Sequence, residues 1–489
     1  MTTNLLTFDF GKTSIRTIVG VYEDKHLTMH EINRIPTIPL ELDNHTYLDI
    51  GWFMQTIIKG LIDAAEQFGS IASLGIGFWG GVFALLNEKG KTFRYPFHYS
   101  DKTFRNNRNI LEGLIPQERI FTEYEGGATT SSISMLLAIR ECFPDELNQT
   151  KTLLMMPDYL AYLLTGNKDC EETILSSGGL SNVYKQWNMK AFKDLNLPLH
   201  IFEDRIVAPG NKYPLLPVYN SIHPNLSNTE YVRVASHDTA SAVSTINLNR
   251  NSAFISSGST SIMGIVTDTP VVSMEAYKER LLNEITGDGR IRLLRNIHGM
   301  TIQNNCMSYW NDKNMNITFD EIDKDIVKIP ALKFMINPND SSFLHNNGNM
   351  PAAIAEYCRN TNQPIPITPA ETLAAINTGL AMEYKNTIES LVRVTGEQIN
   401  TIHIVGGGLA NEPLCQFTAN ATGCMVVTGN KEATSIGNLL MQAKALGLFS
   451  NYEDIAKIDK TSFPDRNVYK PEYSDLWEKA YNKYLSLID

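Results

Sequence analysis

The sequence has few cysteines, no long apolar run and no basic leader. Its 489 residues contain six cysteines without C-x-x-C spacing, which indicates isolated thiols and argues against a zinc site or a disulfide framework. No run of about 18 apolar residues occurs, so we expect no membrane span. The first ten residues lack a charged segment followed by an apolar region, so we expect no signal peptide and a cytoplasmic protein.

Basic residues are fewer than acidic ones, with 42 Lys and Arg against 53 Asp and Glu. The net charge is −11, which argues against nucleic acid or an anionic membrane as the main partner. An anionic nucleotide is not excluded, because local backbone donors and metal ions decide its binding. The length predicts two domains of roughly 200 to 250 residues, and the expected boundary lies near 245, giving domains 1–245 and 246–489.

The sequence contains two similar nine-residue segments, each predicted to begin with a turn. The stretches 11–19 (GKTSIRTIV) and 258–266 (GSTSIMGIV) agree at six of nine positions, and each lies between two apolar, strand-like runs. A glycine beside Ser and Thr hydroxyls can direct several donors at one phosphate. Two such turns predict a nucleotide held by duplicated domains, although chance hairpins of this composition are common.

Two charged residues accompany the first turn. Asp9 precedes it at a strand end, where a carboxylate would repel phosphate unless a divalent cation bridged the two. An Asp that simply starts a hairpin turn is the alternative. Lys12 could neutralise phosphate or be a solvated turn residue, and the sequence leaves both open.

Three further segments have residues suited to binding or catalysis. His237 and Asp238 follow a short apolar run and precede a small-residue helix, so Asp238 is either a helix N-cap or a general base. The glycines 406–408 let a flat ligand lie against the backbone, or form a plain left-handed turn. Trp79 follows Gly75 and Gly77 and precedes Gly80 and Gly81, and it can stack on a sugar or be buried in a tight turn.

The periodicity indicates an α/β protein. A β-meander is expected over 5–34, followed by a helix over 52–68 and strands over 71–77 and 82–86. Mainly helical sequence covers 106–166, with a helix that ends at Gly166, and a short strand covers 231–235. The second half predicts helices near 300–310 and over 369–394, 413–422 and 432–446, and strands over 402–405 and 425–428.

The order of these motifs resembles the FGGY family of carbohydrate kinases, of the actin/hexokinase/Hsp70-like (ribonuclease H-like) fold. The segments that carry the resemblance are VASHDTASAV (234–243), SSGSTSIMG (256–264), MPDY (156–159), LTG (164–166), INPND (336–340) and HIVGGG (403–408). Within the family they are most similar to L-rhamnulose kinases, and the match extends over about residues 5–445. The resemblance implies two duplicated α/β domains with a central cleft, an N-terminal one for sugar and phosphate and a C-terminal one for nucleotide.

The resemblance also implies roles for individual residues. Asp238 would take the proton from a primary hydroxyl of the sugar as that hydroxyl attacks the γ-phosphate of ATP. Asp9 would bind Mg²⁺ through water. The residues expected to contact ATP are Gly11, Lys12, Thr13, Ser14, Ile15, Gly258, Ser259, Asn304, Gly407 and Gly408. The residues expected to contact the sugar are Trp79, Gly80, His237, Thr239 and Asn296.

The sugar segment departs from the family pattern. Rhamnulose kinases usually read GIDTWGVDF where this chain reads GIGFWGGVF (75–83), so Gly77 and Val82 replace two carboxylates. YSDKT (99–103) stands for the usual YRDSR, and two arginines are missing. Lost acceptors for sugar hydroxyls change selectivity.

The expected reaction is therefore ATP-dependent phosphorylation of a ketose or deoxyketose, with L-rhamnulose the first candidate. L-fuculose, xylulose or a similar sugar is the alternative substrate. A non-catalytic sensor derived from a kinase and a filament-forming actin relative are alternatives from other classes. The expected partner is a small sugar, and the protein is expected to be a monomer or a homodimer.

Overall fold

The computed structural model describes residues 2–107, 109–124, 131–202, 204–330, 332–345 and 348–488. Its strands, in chain order, are β1 (Thr3–Phe10), β2 (Ser14–Glu23), β3 (His26–Pro36), β4 (Leu40–Leu42), β5 (His45–Tyr47), β6 (Ile71–Phe78), β7 (Phe83–Leu86), β8 (Thr152–Met155), β9 (Cys170–Glu171), β10 (Ile206–Val207), β11 (Lys212–Pro214), β12 (Glu230–Val232), β13 (Ser252–Ser257), β14 (Ser261–Thr267), β15 (Leu282–Ile285), β16 (Ile291–Ile297), β17 (Thr401–Val405), β18 (Met425–Thr428) and β19 (Val468–Tyr469).

The α-helices are α1 (Ile50–Phe68), α2 (Lys102–Asn107), α3 (Ile110–Leu114), α4 (Gln117–Glu123), α5 (Ser131–Cys142), α6 (Pro144–Gln149), α7 (Met156–Thr165), α8 (Glu172–Gly178), α9 (Met189–Asp194), α10 (Pro217–Asn220), α11 (Asp238–Ser244), α12 (Met274–Lys278), α13 (Gly299–Asp312), α14 (Phe319–Ile326), α15 (Met350–Asn360), α16 (Pro369–Thr395), α17 (Glu412–Thr422), α18 (Ala433–Ala445), α19 (Asp454–Ser462) and α20 (Ser474–Ile488). Within the described ranges, no helix is long and apolar enough to cross a bilayer.

The chain divides into two compact units, each built from more than one segment. Unit 1 contains 1–247, 267–292 and 433–464, and unit 2 contains 248–266, 293–432 and 465–489. The chain first passes from one unit to the other at 247/248, close to the boundary expected near 245. A single cut there would place α18 in the second domain, whereas its contacts place it in unit 1.

In the sheet of unit 1, strand β1 is buried on both faces. The strand order of this sheet is β11-β12-β6-β1-β2-β3, with β1 antiparallel to β2 and parallel to β6. Alternate side chains of β1 point to opposite faces. Phe8 and Phe10 join the core that contains Phe53 of α1, whereas Leu5 joins a second core with Leu439 of α18. Helices α1 and α18 therefore cover opposite faces of β1.

The sheet of unit 2 repeats this arrangement. Six neighbouring strands run in the order β16-β14-β13-β17-β18-β19. The hairpin β13–β14 is antiparallel, β17 is parallel to β13, and β18 is parallel to β17. In unit 1 the hairpin β1–β2, then β6 and β12, have the same directions. The duplicated α/β architecture predicted from the sequence is confirmed.

Most predicted elements lie within two residues of those in the structure, but the strand expected over 231–235 ends at Val232. Beyond it the backbone hydrogen bonding becomes irregular. The Arg233 N–H donates to Asn211 O (2.8 Å), and the Ala235 N–H donates to Met441 Sδ (3.1 Å). Pairing with β6 resumes at His237, which forms a parallel bridge with Phe78, so the ladder is interrupted after Val232 and returns just before α11.

Candidate active site

The first repeated turn connects β1 to β2. The Gly11 N–H donates to Ser14 O (2.9 Å), and Thr37 Oγ1 donates to Gly11 O (2.7 Å). A Cβ on Gly11 would lie 3.0 Å from Ser14 O, so the tight turn favours glycine. Lys12 and Thr13 are exposed and Ser14 is half-buried, whereas the Ile15 side chain is buried and can offer a ligand only its backbone.

Asp9 lies at the end of β1, with its side chain 4% exposed. It forms an ion pair with Arg16 across the β1–β2 ladder and accepts a hydrogen bond from Ser435 Oγ (3.3 Å). Burial raises the pKa of Asp9, Arg16 lowers it, and the charge of Asp238 raises it again. The two carboxylates are thus close enough to repel each other.

Asp238 is the first residue of α11, and His237 occupies the N-cap position. The N-cap alternative for Asp238 is therefore wrong. Its side chain is 37% exposed, and Oδ1 accepts the Thr239 N–H (2.6 Å) and the Thr239 hydroxyl (3.2 Å). Burial raises the pKa of Asp238, whereas Lys12 and the Thr239 hydrogen bonds lower it. This carboxylate combines solvent access with a fixed orientation, as a general base requires.

The Trp79 segment runs beside His237. The Phe78 N–H donates to Ser236 O (2.8 Å), so β6 continues alongside the approach to α11. A Cβ on Gly80 would lie 3.5 Å from His237 Nε2 and 2.6 Å from Ser177 Oγ, so glycine permits this approach. Trp79 is buried, and its indole N–H has no hydrogen-bond partner among the described residues. Both the structural and the sugar-binding interpretation of Trp79 are compatible with this position.

Aromatic side chains connect Trp79 to the first turn. The Trp79 and His98 rings are 6.5 Å apart, and the His98 and Tyr99 rings are 4.2 Å apart. The Lys12 ammonium lies 5.3 Å from the centre of the Tyr99 ring, within cation–π range. Unit 1 therefore brings Lys12, the Trp79 segment and Asp238 into one neighbourhood, and the positive charge of Lys12 lowers the pKa of both His237 and Asp238.

In unit 2 the second turn lies against the triple glycine. A Cβ on Gly408 would lie 1.9 Å from Ser257 Oγ, and one on Gly406 would lie 2.8 Å from Ser257 O. Gly406 has a φ of 88°, which favours glycine. Gly258 has no such steric need, because its Cβ would meet Thr260 O at 3.8 Å. Gly407 and Gly408 thus adjoin the turn that contains Gly258 and Ser259.

Helix α13 is attached to the same turn. The Thr301 N–H and hydroxyl both donate to Ser259 O, at 2.9 and 2.6 Å. Asn304 is exposed one helical turn later, on the face that follows Thr301. Asn296 is half-buried near the end of β16, three positions before α13 begins. The expected nucleotide residues of unit 2 therefore lie around one turn, whereas Asn296 is in unit 2 and the other expected sugar residues are in unit 1.

Four residues of unit 1 contact this neighbourhood and were not among the predicted site residues. Arg16 and Ser435 bind Asp9, while Arg292 donates to His237 Nδ1 (3.1 Å) and Glu284 accepts from Arg292 (2.9 Å). Arg16 lies within the repeated segment 11–19, opposite Asp9 in the β1–β2 hairpin, so its position was a usable signal. The other three approach through non-local packing, which no local pattern reveals.

The residues near Asp9 suit a divalent cation held jointly with a phosphate. In the described part of the chain, no group of three or more His, Cys, Asp or Glu side chains could hold a metal by itself. Asp9 and Asp238 repel each other electrostatically, and a cation at Asp9 would relieve that repulsion. The donor set therefore fits a metal that takes most of its ligands from water and substrate.

Comparison with known proteins agrees with this architecture. Residues 4–242 match the N-terminal domain model of the FGGY family of carbohydrate kinases, and residues 253–446 match the C-terminal domain model. The chain is 35% identical over 484 residues to the rhamnulokinase of Bacteroides thetaiotaomicron, covering 98% of both chains. It is 31% identical to the rhamnulokinase of Pectobacterium atrosepticum, covering 94% of this chain and 92% of that one.

Solved structures show the same fold at lower identity. The ligand-bound xylulose kinase of Lactobacillus acidophilus superposes with a TM-score of 0.78 at 15% identity, covering 99% of this chain and 97% of that one. The gluconate kinase of the same organism gives a TM-score of 0.79 at 14% identity, covering 100% and 98%.

The chain has two duplicated units, each with a hydroxyl-rich turn, and it has relatives at 30% identity or more. Together these findings define a phosphotransferase that acts on an alcohol group. The chain belongs to the FGGY family of carbohydrate kinases.

Proposed function

We propose that this kinase phosphorylates the primary hydroxyl of a ketose or deoxyketose with ATP, and that L-rhamnulose, giving L-rhamnulose 1-phosphate, is its first candidate substrate. The observation that carries the reaction is the position of Asp238, partly exposed at the start of α11 and oriented by Thr239. The rhamnulokinase names of the relatives support the sugar.

The proposed step needs one proton transfer. Asp238 takes the proton of the sugar hydroxyl as its oxygen forms a bond to the γ-phosphorus, and the bond between that phosphorus and the leaving oxygen of ADP breaks. In unit 1, residues 11–15 would orient phosphates, with Lys12 supplying positive charge. His237, Thr239, Gly80 and Trp79 would contact the sugar.

The second unit would bind the rest of the nucleotide. Gly258 and Ser259 offer backbone and hydroxyl donors, and Gly407 and Gly408 offer a surface without side chains on which adenine can lie. Asn304 would contact the nucleotide and Asn296 the sugar. Asp9 would hold Mg²⁺ through water, and the bound cation would neutralise charge on the transferring phosphoryl group.

A panel of ketoses and related sugars in a coupled ADP-release assay tests the substrate. L-rhamnulose is expected to give the highest kcat/KM, and L-fuculose and xylulose are the alternatives. The replacement of two family carboxylates by Gly77 and Val82 favours keeping L-fuculose and xylulose in the panel, because the buried Val82 side chain cannot accept a hydrogen bond from a sugar hydroxyl. No turnover of any sugar by a folded protein that binds ATP would contradict the proposal and favour a non-catalytic sensor.

Asp238→Asn tests the base. The amide cannot take the proton, so we expect kcat to fall by about 10²- to 10⁴-fold, the usual contribution of a general base, while ATP binding measured by calorimetry is kept. Asp145→Asn is the matched control, because Asp145 also lies in the first turn of a helix and is exposed. Turnover by Asp238→Asn within about 3-fold of the control would rule out Asp238 as the base.

We also propose that the protein acts in the cytoplasm as a monomer or homodimer, with no nucleic-acid or membrane partner. Its acidic charge and scattered cysteines support this. Light scattering after size-exclusion chromatography, with and without ATP, measures the oligomeric state, and an ATP-dependent rise in mass to large polymers would instead favour a filament.

A further inference from the structure

A buried chain of polar groups leads away from the base. Glu284 Oε2 accepts from Arg292 Nη2 at 2.9 Å, and the same nitrogen lies 3.1 Å from His237 Nδ1. On the other side of the ring, His237 Nε2 lies 3.4 Å from Asp238 Oδ1. All four residues are in unit 1. The catalytic carboxylate is thus connected to an interior acid through a guanidinium and an imidazole.

Hydrogen-bond chemistry fixes the proton on the imidazole. A guanidinium can only donate, so His237 Nδ1 must accept from Arg292 and cannot carry a proton. In neutral histidine the proton is then on Nε2, the nitrogen that faces Asp238. Burial lowers the pKa of His237 to about 4, with Glu284 raising it and Arg292 and Lys12 lowering it. The ring is therefore neutral at physiological pH.

The burial of Arg292 is not explained by packing alone. The Arg292 side chain is fully buried, and neither Nε nor Nη1 has a hydrogen-bond partner among the described residues. A buried ion pair with unsatisfied donors is a poor contributor to stability compared with apolar residues of similar volume. Among the residues that the structure describes, its one hydrogen-bond contact besides Glu284 is the His237 ring, which points to a role at the site.

We propose that Arg292, held by Glu284, is a positioning residue that keeps His237 as the Nε2–H tautomer, so that this N–H faces and orients the Asp238 carboxylate. The inference rests on the proposed role of Asp238 as the base. Thr239 holds Asp238 Oδ1 from the helix side, and His237 provides the second direction. Together they leave the other carboxylate oxygen for the sugar hydroxyl.

Removing Arg292 has a defined consequence for the ring. Glu284 Oε2 lies 3.6 Å from His237 Nδ1, so without the guanidinium the Glu284 carboxylate can accept a hydrogen bond from Nδ1–H, which keeps its proton. The tautomer then reverses, and the lone pair of Nε2 faces the Asp238 carboxylate. That contact is repulsive, and the base loses its second orienting partner.

The test compares Arg292→Met with Arg292→Lys in the full-length protein. Histidine ring ¹⁵N spectra, assigned by the signal missing from His237→Gln, report which nitrogen carries the proton. Wild type and Arg292→Lys are expected to show Nε2–H, because an ammonium also only donates. Arg292→Met is expected to show Nδ1–H and a kcat lower by about 10- to 100-fold, the usual effect of losing a partner that orients a functional imidazole, with the KM for ATP nearly unchanged.

Arg290→Met is the matched control. Arg290 lies two residues before Arg292, but its side chain is 42% exposed and pairs with Asp288. It is expected to change neither the spectrum nor kcat. Nδ1–H in the wild type, or a folded Arg292→Met with unchanged tautomer and kcat, would overturn the inference. If Arg292→Met does not fold, the wild-type and Arg292→Lys spectra decide. An inactive wild type that shows Nε2–H would count against the proposed function and not against the tautomer.

Discussion

Because helices α11 and α18 are in close contact at Gly437, the substitution Gly437→Ala tests whether α18 fixes the position of α11 and of Asp238. Gly437 lies on α18 where it crosses α11, and a Cβ there would lie 2.0 Å from Ser241 O and 2.7 Å from Ser241 C. A carbon–oxygen contact normally needs about 3.3 Å. Gly437→Ala must therefore separate the two helices by roughly 1 Å, because both contacting atoms are backbone of α11.

The displacement is expected to affect both stability and catalysis. Overpacking of this kind destabilises by about 1–3 kcal/mol, which corresponds to a fall in Tm of roughly 2–5 °C for a unit of this size. Asp238 begins α11, so it moves with the helix. A misplacement of about 1 Å at a reacting group can cost on the order of 10²-fold in rate, and we expect kcat to fall by 10- to 100-fold.

Thermal unfolding and the coupled ADP-release assay measure the two effects on the same preparations. Gly113→Ala is the matched control, because Gly113 is also in a helix and nothing lies within 4 Å of its added Cβ. It should be neutral or stabilising by up to about 1 kcal/mol. A Gly437→Ala protein with the Tm and kcat of the control would refute the claim that α18 sets the position of Asp238, the proposed base.

Two further predictions concern charge. Lys12→Met removes a charge that lowers the pKa of Asp238, so the pKa of Asp238 rises and the acidic limb of the kcat/KM–pH profile moves to higher pH. Lys12→Arg keeps the charge and should keep the wild-type acidic limb. An acidic limb that does not move in Lys12→Met would contradict the reasoning. Asp158→Asn breaks the ion pair with Arg233, in which both side chains are fully buried, and should lower the free energy of unfolding in urea by about 3–5 kcal/mol. Asp63→Asn, which breaks an exposed i,i+4 pair with Lys59, should change it by less than about 1 kcal/mol, and equal losses in the two variants would argue against the buried pair.

Local sequence patterns were sufficient to predict most of the helices and strands. The hairpin that contains Gly11 alternates apolar and polar residues around a turn, and its copy at Gly258 repeats that pattern, so both could be predicted from adjacent residues. Helix α16 also begins at a local signal, the capping box of Thr368 and Glu371. Such elements depend on contacts within a few residues, which a sequence displays directly.

Contacts between distant segments could not be predicted in this way. Ser435 is 426 positions from Asp9 and still donates to its carboxylate. Likewise, Arg292 reaches His237 from a strand 55 positions later in the chain. No periodicity encodes such pairs, so the sequence predicted Asp238 and Asp9 as candidate site residues but not the residues that contact them. Position along the chain was also misleading for α18, whose apolar residues pack on the sheet of unit 1.

The placement of α18 also affects how the protein can be made. Unit 1 begins with β1, but its sheet has one face covered by residues 433–445, and Gln442 Nε2 donates to Leu6 O at 2.9 Å. A ribosome-bound chain that ends before these residues has an uncovered apolar face at Leu5 and Ile18, which pack in the core with α18. Such faces favour association with other chains. The first strands synthesised must therefore wait for nearly the whole chain before their unit is complete.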